Sequence, residues 1–230
     1  MNNTINRAAH VLAQAAILSA ALGAASTASA QSAGDWILKV GVNRITPKVE
    51  SGNVSAPALP ESKADVAADT KPIFNITRML TDNISAELDL GVPYKHDLMA
   101  AGSIAGSGKL GTSEVLPPTA LIQYRFFEPN ARLRPYVGLG LTYAYFQKER
   151  GSAQLTALLN TGGPGTTFSL KSKFAASFQI GASLRIDDRW GADIGIIKTK
   201  LKTRADFSTG QTMEARLDPL AVSLGVTYKF

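Results

Sequence analysis

The sequence predicts an all-β protein, an eight-stranded antiparallel transmembrane β-barrel with short periplasmic turns and four longer extracellular loops. Three observations carry that expectation: an export signal opens the chain, period-two alternation recurs eight times behind it, and tight turns alternate with long connections between the runs.

The opening segment, Met1 to Ala30, has the make-up of a secretory signal peptide. Arg7 supplies a positive start, Ala8 to Ala25 an apolar core, and Ser26-Thr27-Ala28-Ser29-Ala30 a small-residue cleavage site. The small-residue tail and the lack of a basic stop-transfer cluster speak against a retained anchor. The expected organisation is residues 1–30 as signal peptide and 31–230 as barrel.

Bulk properties agree with a single barrel. The chain has 230 residues, of which 45% are hydrophobic and only 18% charged, so a folded chain is expected rather than a disordered one. Beyond residue 30 no apolar run approaches the roughly 20 residues that a spanning helix needs. Barrel strands show lipid only every second side chain, so mean hydropathy stays near zero. The absence of cysteine excludes disulfides, thiolate metal sites, cysteine nucleophiles and a lipidated N-terminal cysteine. Net charge is +6, but Lys198, Lys200, Lys202 and Arg204 are spaced along the chain rather than run together. That pattern fits a solvated, weakly basic rim, and no nucleic-acid partner is expected.

The strands follow in order. Trp36, Leu38, Val40 and Val42 alternate with Ile37, Lys39, Gly41 and Asn43. A weaker run covers Ile73 to Leu80. Ile84, Ala86, Leu88 and Leu90 alternate with Ser85, Glu87 and Asp89. Thr119 to Phe126 forms the second weaker run. Val137, Leu139, Leu141, Tyr143 and Tyr145 alternate with Gly138, Gly140, Thr142 and Ala144. Phe178, Ile180, Leu184 and Ile186 oppose Ser177, Gln179, Gly181, Ser183 and Arg185. Trp190, Ala192, Ile194 and Ile196 follow, and Leu220 to Phe230 closes with the clearest alternation of all. Successive strand side chains point to opposite faces, so each run has one oily and one polar side.

Thr81-Asp82-Asn83, Asp187-Asp188-Arg189 and the link Phe127 to Leu133 are short and rich in turn formers. Long connections lie near Thr46–Lys71, Pro93–Glu114, Gln147–Leu170 and Lys202–Arg216. Short turns at one end and long loops at the other place both termini in the periplasm.

Alternation alone does not say which face is inside, because a secreted lipocalin-like barrel turns its oily face inward. Here the polar face is mostly small, as a narrow eight-stranded lumen requires: Gly138, Gly140, Thr142, Ala144, Ala221, Ser223 and Gly225. Trp36, Tyr124, Phe126, Trp190, Tyr228 and Phe230 cluster near strand ends, where membrane barrels carry aromatic girdles. A lipid-facing oily side is therefore expected. The inward set then carries the charges Lys39, Glu87, Asp89, Arg125, Arg185, Asp193 and Lys229. These either plug the lumen or form a polar path or gate; acids neutralised by bases are expected either way, and the plug is the preferred reading.

The chain resembles the OmpW/AlkL family of small outer-membrane barrels over nearly all of residues 31–230. The matching pieces are Gly34-Asp35-Trp36, Thr81-Asp82-Asn83-Ile84, Gly91-Val92-Pro93, Leu116-Pro117-Pro118-Thr119 leading to Gln123-Tyr124, and Arg134-Pro135-Tyr136-Val137-Gly138-Leu139-Gly140. Phe178-Gln179-Ile180-Gly181, Leu217-Asp218-Pro219 and the closing Tyr228-Lys229-Phe230 complete them. The resemblance implies a narrow apolar pocket toward the extracellular end and passive passage of small hydrophobic solutes across the lipopolysaccharide layer, with sideways exit into the membrane. It also implies that Phe230 is the signal read by the barrel assembly machinery. Pro93, Pro117 and Pro118 are the candidates for a lateral gap, since proline cannot donate a ladder hydrogen bond; they equally serve to end strands. Leu59, Leu155, Leu158 and Leu159 are candidates for a hydrophobic gate, or for simple loop packing. The Gly162-Gly163-Pro164-Gly165 tract departs from the pattern and is expected to make the third loop flexible.

Other chemistry is sparse. After residue 30 the one histidine, His96, is expected to be a solvated loop residue, and a Ser–His–Asp arrangement would have to pass through it. Adjacent Asp97 points away on extended backbone. One histidine without cysteine does not anchor zinc. Gly138-Leu139-Gly140 lies mid-strand with no helix behind it, so it is not a nucleotide loop. No catalytic residue, cofactor or metal is expected. A structural or adhesive barrel with a closed lumen, acting through its loops, is the alternative to transport.

Overall fold

The computed structural model describes residues 31–230, and the expected signal peptide, Met1 to Ala30, lies outside them. In chain order the elements begin with β1 (Trp36–Thr46), β2 (Glu50–Ser51), β3 (Ser62–Val66), β4 (Asp69–Met79) and β5 (Ile84–Gly91). Next come β6 (Tyr94–Gly102), β7 (Lys109–Leu116), β8 (Thr119–Arg125), β9 (Leu133–Gly151) and helix α1 (Ala153–Leu159). The chain ends with β10 (Phe168–Leu170), β11 (Lys173–Arg185), β12 (Trp190–Lys200), β13 (Lys202–Phe207), β14 (Thr212–Arg216) and β15 (Leu220–Lys229).

Eight of these close into a barrel in the order β1-β4-β5-β8-β9-β11-β12-β15, and β15 pairs back onto β1, every neighbour antiparallel. Each of the eight alternating runs is one barrel strand. Along the eight paired ladders closure leaves no edge, as a sheet in lipid needs because nothing there satisfies an unpaired backbone group. The register keeps oily residues in rows: Val40 lies opposite both Phe74 and Val226, and Phe178 opposite Leu139. Leu139 is 62% exposed and Phe174 72%, whereas Gln123 and Ser177, on the other parity, are 1% exposed. The oily face is outside.

Turn chemistry fixes the short end. Thr81 Oγ1 accepts from the backbone amide of Ile84 at 2.9 Å, and Asp187 Oδ1 accepts from Arg189 and Trp190 at 2.8 and 2.7 Å. Each short side chain does the work of a backbone carbonyl and tightens the reversal. An aromatic girdle surrounds this end: Trp190 packs edge-on against Tyr228 at 4.9 Å and Tyr124 against Phe126 at 5.1 Å. Tyr143, Tyr145 and Phe174 form a second cluster higher up.

The loop end is more ordered than its composition suggests. β3, β6 and β7 continue the barrel wall, with β7 paired to the upper half of β9, while β10, β13, β14 and β2 make a second small sheet. The third loop, expected to be flexible, contains α1; the Gly162-Gly163-Pro164-Gly165 tract is confined to the turn after it. Helix formation wins locally because Ser152 caps it, its Oγ accepting from the Leu155 amide at 3.1 Å, and because Leu155, Leu158 and Leu159 share one apolar face.

Candidate functional site

Two zones divide the barrel interior. In the lower zone all eight barrel strands send polar side chains to a common network. Lys39 Nζ lies 2.7 Å from Asp193 Oδ1 and 3.1 Å from Ser223 Oγ. Asp193 also accepts from Ser183 Oγ at 2.7 Å and from the Tyr136 hydroxyl at 3.0 Å. Arg125 donates to Ser85, Ser183 and Gln123, and its guanidinium lies over the Tyr136 ring at 4.9 Å. Gln123 donates to Gln179, Gln179 to Glu87, and Thr77 Oγ1 to Glu87 at 2.9 Å. Asn75 donates to Asp89. Above them the hydroxyls of Thr119, Thr142, Ser177 and Thr199 link at 2.6–2.8 Å across β8, β9, β11 and β12.

Of the inward charges named from sequence, Lys39, Glu87, Arg125 and Asp193 are buried in this network. Asp89 is half-buried where the network meets the zone above. Arg185 and Lys229 are half-buried near the short-turn mouth, with Lys229 paired to Asp35 at 3.8 Å. Buried cations and anions are paired or hydrogen-bonded, as burial of charge demands. Arg134, only 1% exposed, was not among the expected residues. It donates to the backbone carbonyls of Gln31, Asp82, Phe126 and Phe127, gathering the N-terminal segment and two turns under the barrel. Its parity, and that of Tyr136, matches Gly138 and was readable; which carbonyls it would meet was not.

The upper zone is apolar. A cavity of about 160 Å³ runs from Asn43, Asp89 and Tyr94 at its floor to Leu59, Phe207 and Met213 at its top. The four candidate gate leucines, Leu59, Leu155, Leu158 and Leu159, all line it; Leu155 is buried and Leu59 is 57% exposed.

One side of this cavity meets a break in the wall. The ladder between β5 and β8 ends at Asp89 opposite Thr119, and the ladder between β6 and β7 begins at Tyr94 opposite Val115. Residues 90–93 and 116–118, which include Pro93, Pro117 and Pro118, are thus not paired with one another. Each side stays tied to its other neighbour: Gly91 pairs with Ile73, and the Pro118 carbonyl accepts from the Tyr143 amide at 3.0 Å. Pro117, Leu90 and Gly91 line the cavity.

His96 requires a correction. It is not a solvated loop residue but lies in β6, 6% exposed, and lines the cavity. Tyr94, His96 and Leu98 of β6 face the cavity, a strand parity hidden by the turn-rich sequence around it. Its Nδ1 is 2.7 Å from the Ala67 carbonyl and its ring stacks on Tyr94 at 6.4 Å. Burial pushes its imidazole below the ordinary histidine value, against opposite pulls from the Ala67 carbonyl, Asp69 and Asp97. Asp97 turns away and pairs with Lys109 at 2.7 Å. Among the described residues no three or more His, Cys, Asp or Glu side chains gather as a metal site.

The OmpW family matches residues 32–230. Outer membrane protein W of Vibrio cholerae serotype O1 is 29% identical over 217 residues, covering 92% of this chain and 96% of that protein. Outer membrane protein AlkL of Ectopseudomonas oleovorans is 26% identical over 202 residues, covering 86% and 83%. Among solved structures, the crystal structure of outer membrane protein OprG from Pseudomonas aeruginosa superposes with a TM-score of 0.78 at 25% identity, covering 87% of this chain and 98% of that one. The solid-state NMR structure of AlkL in lipid bilayers gives 0.64 at 25% identity, covering 90% and 94%.

Proposed function

This chain belongs to the OmpW family and is a β-barrel of the outer membrane, and on that premise we propose that it gives small hydrophobic molecules passive passage from the extracellular side. The observation that carries the reading is the apolar cavity lying directly against the unpaired stretch 90–93 and 116–118. A solute enters between the loops, past Leu59, Leu155, Leu158 and Leu159. It settles among apolar side chains, which water solvates poorly, and the hydrophobic effect favours that transfer. The polar network beneath offers an apolar solute no favourable path, so exit is sideways at Pro93, Pro117 and Pro118 into the bilayer. The charges Lys39, Glu87, Asp89, Arg125, Arg185, Asp193 and Lys229 act as a plug rather than a conduit.

Its partners in this reading are membrane lipid and lipopolysaccharide around the oily face, the solute, and the barrel assembly machinery through Phe230. Residues 1–30 act as the export signal. No catalytic role is assigned, and the relatives are named as outer-membrane proteins. The closed-lumen reading, a barrel acting through its loops, draws support from the same polar plug and from the sheet-built loop end. Uptake separates the two. Cells producing the chain should take up a small apolar fluorophore faster than cells without it; equal rates would leave the loop-acting barrel as the better account.

A further inference from the structure

We propose that His96 and Ser113 form a hydrogen-bonding subsite in the wall of the apolar cavity, and that it takes the hydroxyl head of a medium-chain alcohol or similar neutral amphiphile. The inference rests on the passage reading above, since it specifies what the cavity holds.

The two residues are directly opposite one another across the β6–β7 ladder, both inward, both buried and both lining the cavity. Opposed side chains in an antiparallel pair start about 5 Å apart, close enough for one small head group to touch both. The tautomer of His96 follows from its partner. A carbonyl oxygen only accepts, so at 2.7 Å from Ala67 it is Nδ1 that carries the proton. The buried ring is neutral at ordinary pH, and Nε2 is then a bare acceptor. Among the described residues no donor is paired with Nε2. Stacking on Tyr94 fixes the plane of the ring and so the direction in which that lone pair points.

Ser113 supplies the complement. Its Oγ makes one long bond, 3.5 Å to the Glu114 carbonyl, so the hydroxyl turns to a better acceptor at little cost. An alcohol is donor and acceptor at one atom: its O–H donates to Nε2 and its oxygen accepts from Ser113. An alkane leaves both protein groups unmatched, and an ionised carboxylate brings negative charge against the Nε2 lone pair. Polar groups in a dry wall are costly unless something pairs with them. A hydroxylated chain pairs with both, while its tail lies against residues such as Leu98, Leu155 and Leu158.

The test uses the full barrel in phosphatidylcholine nanodiscs, with ¹⁵N-labelled histidine and ¹³C-labelled leucine methyls. On adding 1-decanol the Nε2 resonance of His96 and the Leu155 and Leu158 methyls should all shift; n-decane should move the methyls alone. The Ser113→Ala and His96→Phe changes should each weaken decanol binding, together by about tenfold, and leave decane unaffected. If decanol moves the methyls but not Nε2, the subsite is refuted while the passage reading stands. If neither solute moves the methyls, the cavity is not a solute site and the passage reading itself fails. Should His96→Phe not yield the folded, heat-shifting band on a gel, Ser113→Ala and the Nε2 spectrum of the unaltered chain decide.

Discussion

Lys39 on β1 and Asp193 on β12 are 154 residues apart in the chain, yet their charged atoms meet at 2.7 Å inside the barrel, over the single strand β15 that separates them. Neither is accessible to bulk water, and Asp193 has the Ser183 and Tyr136 hydroxyls as further partners. Asp193→Asn takes from the buried ammonium the carboxylate it touches, leaving only the more distant Glu87 and Asp89. It should destabilise the barrel by about 3 kcal/mol, read from urea unfolding in lipid vesicles. The double change Lys39→Met with Asp193→Leu should recover most of that loss. A single-variant cost near zero would show that the pair is hydrated rather than buried.

Gly181 makes room for Tyr136. A methyl group built there would stand 2.3 Å from Tyr136 Cζ and 2.6 Å from the Ile194 carbonyl oxygen. Gly181→Ala should therefore cost about 1–3 kcal/mol in the same unfolding measurement. Adding Tyr136→Ala should relieve only part of it, because the backbone contact remains. Full additivity of the two losses would deny the contact.

The His96 imidazole is pushed down from its ordinary value of 6.5 by burial, so the folded chain binds its proton more weakly than the unfolded chain does. Its contribution to stability is whole above that value. It declines as pH falls below 6.5 and levels off once the folded form also protonates. The unfolding midpoint should thus be lower at pH 5 than at pH 7.5, and His96→Gln should remove that part of the slope. An identical slope in the variant would assign it to other groups.

Closing the wall should stop passage. With no native cysteine to interfere, cysteines in place of Val92 and Leu116 on the two unpaired edges can be oxidised across the break. Oxidised protein should lose uptake of a small apolar solute, and reduction should restore it. Uptake that ignores the redox state would rule out sideways exit there.

Ser152→Ala removes the cap of α1, whose Oγ accepts from the Leu155 amide. The loss should be about 1 kcal/mol and local to the third loop, visible as faster amide exchange at Leu155 with the barrel strands unaffected.

The barrel strands were legible because a closed sheet in lipid imposes one rule at every second residue. Val222, Leu224 and Val226 must be oily whatever their neighbours are, so alternation survives in the chain as written. Loop-end strands escape that rule. β6 and β7 face outward on one side and, on the other, the cavity that the second sheet also lines, and Lys95, His96 and Asp97 in a row carry no period. For that reason His96 looked like a surface residue. Arg134 was missed for a different reason: its partners are backbone carbonyls of turns far along the chain, and carbonyls leave no trace in side-chain identity.

By itself, then, the sequence determined the number of barrel strands, the outward direction of their oily face and the family to which the chain belongs, since each is written as a local repeat or an ordered motif. Tertiary structure alone decided what meets inside: that Lys39 finds Asp193, that the gate leucines of two loops line one cavity, and that His96 and Ser113 face each other. Those outcomes depend on barrel register and loop packing, which bring together positions tens to hundreds of residues apart and are set by closure of the whole sheet.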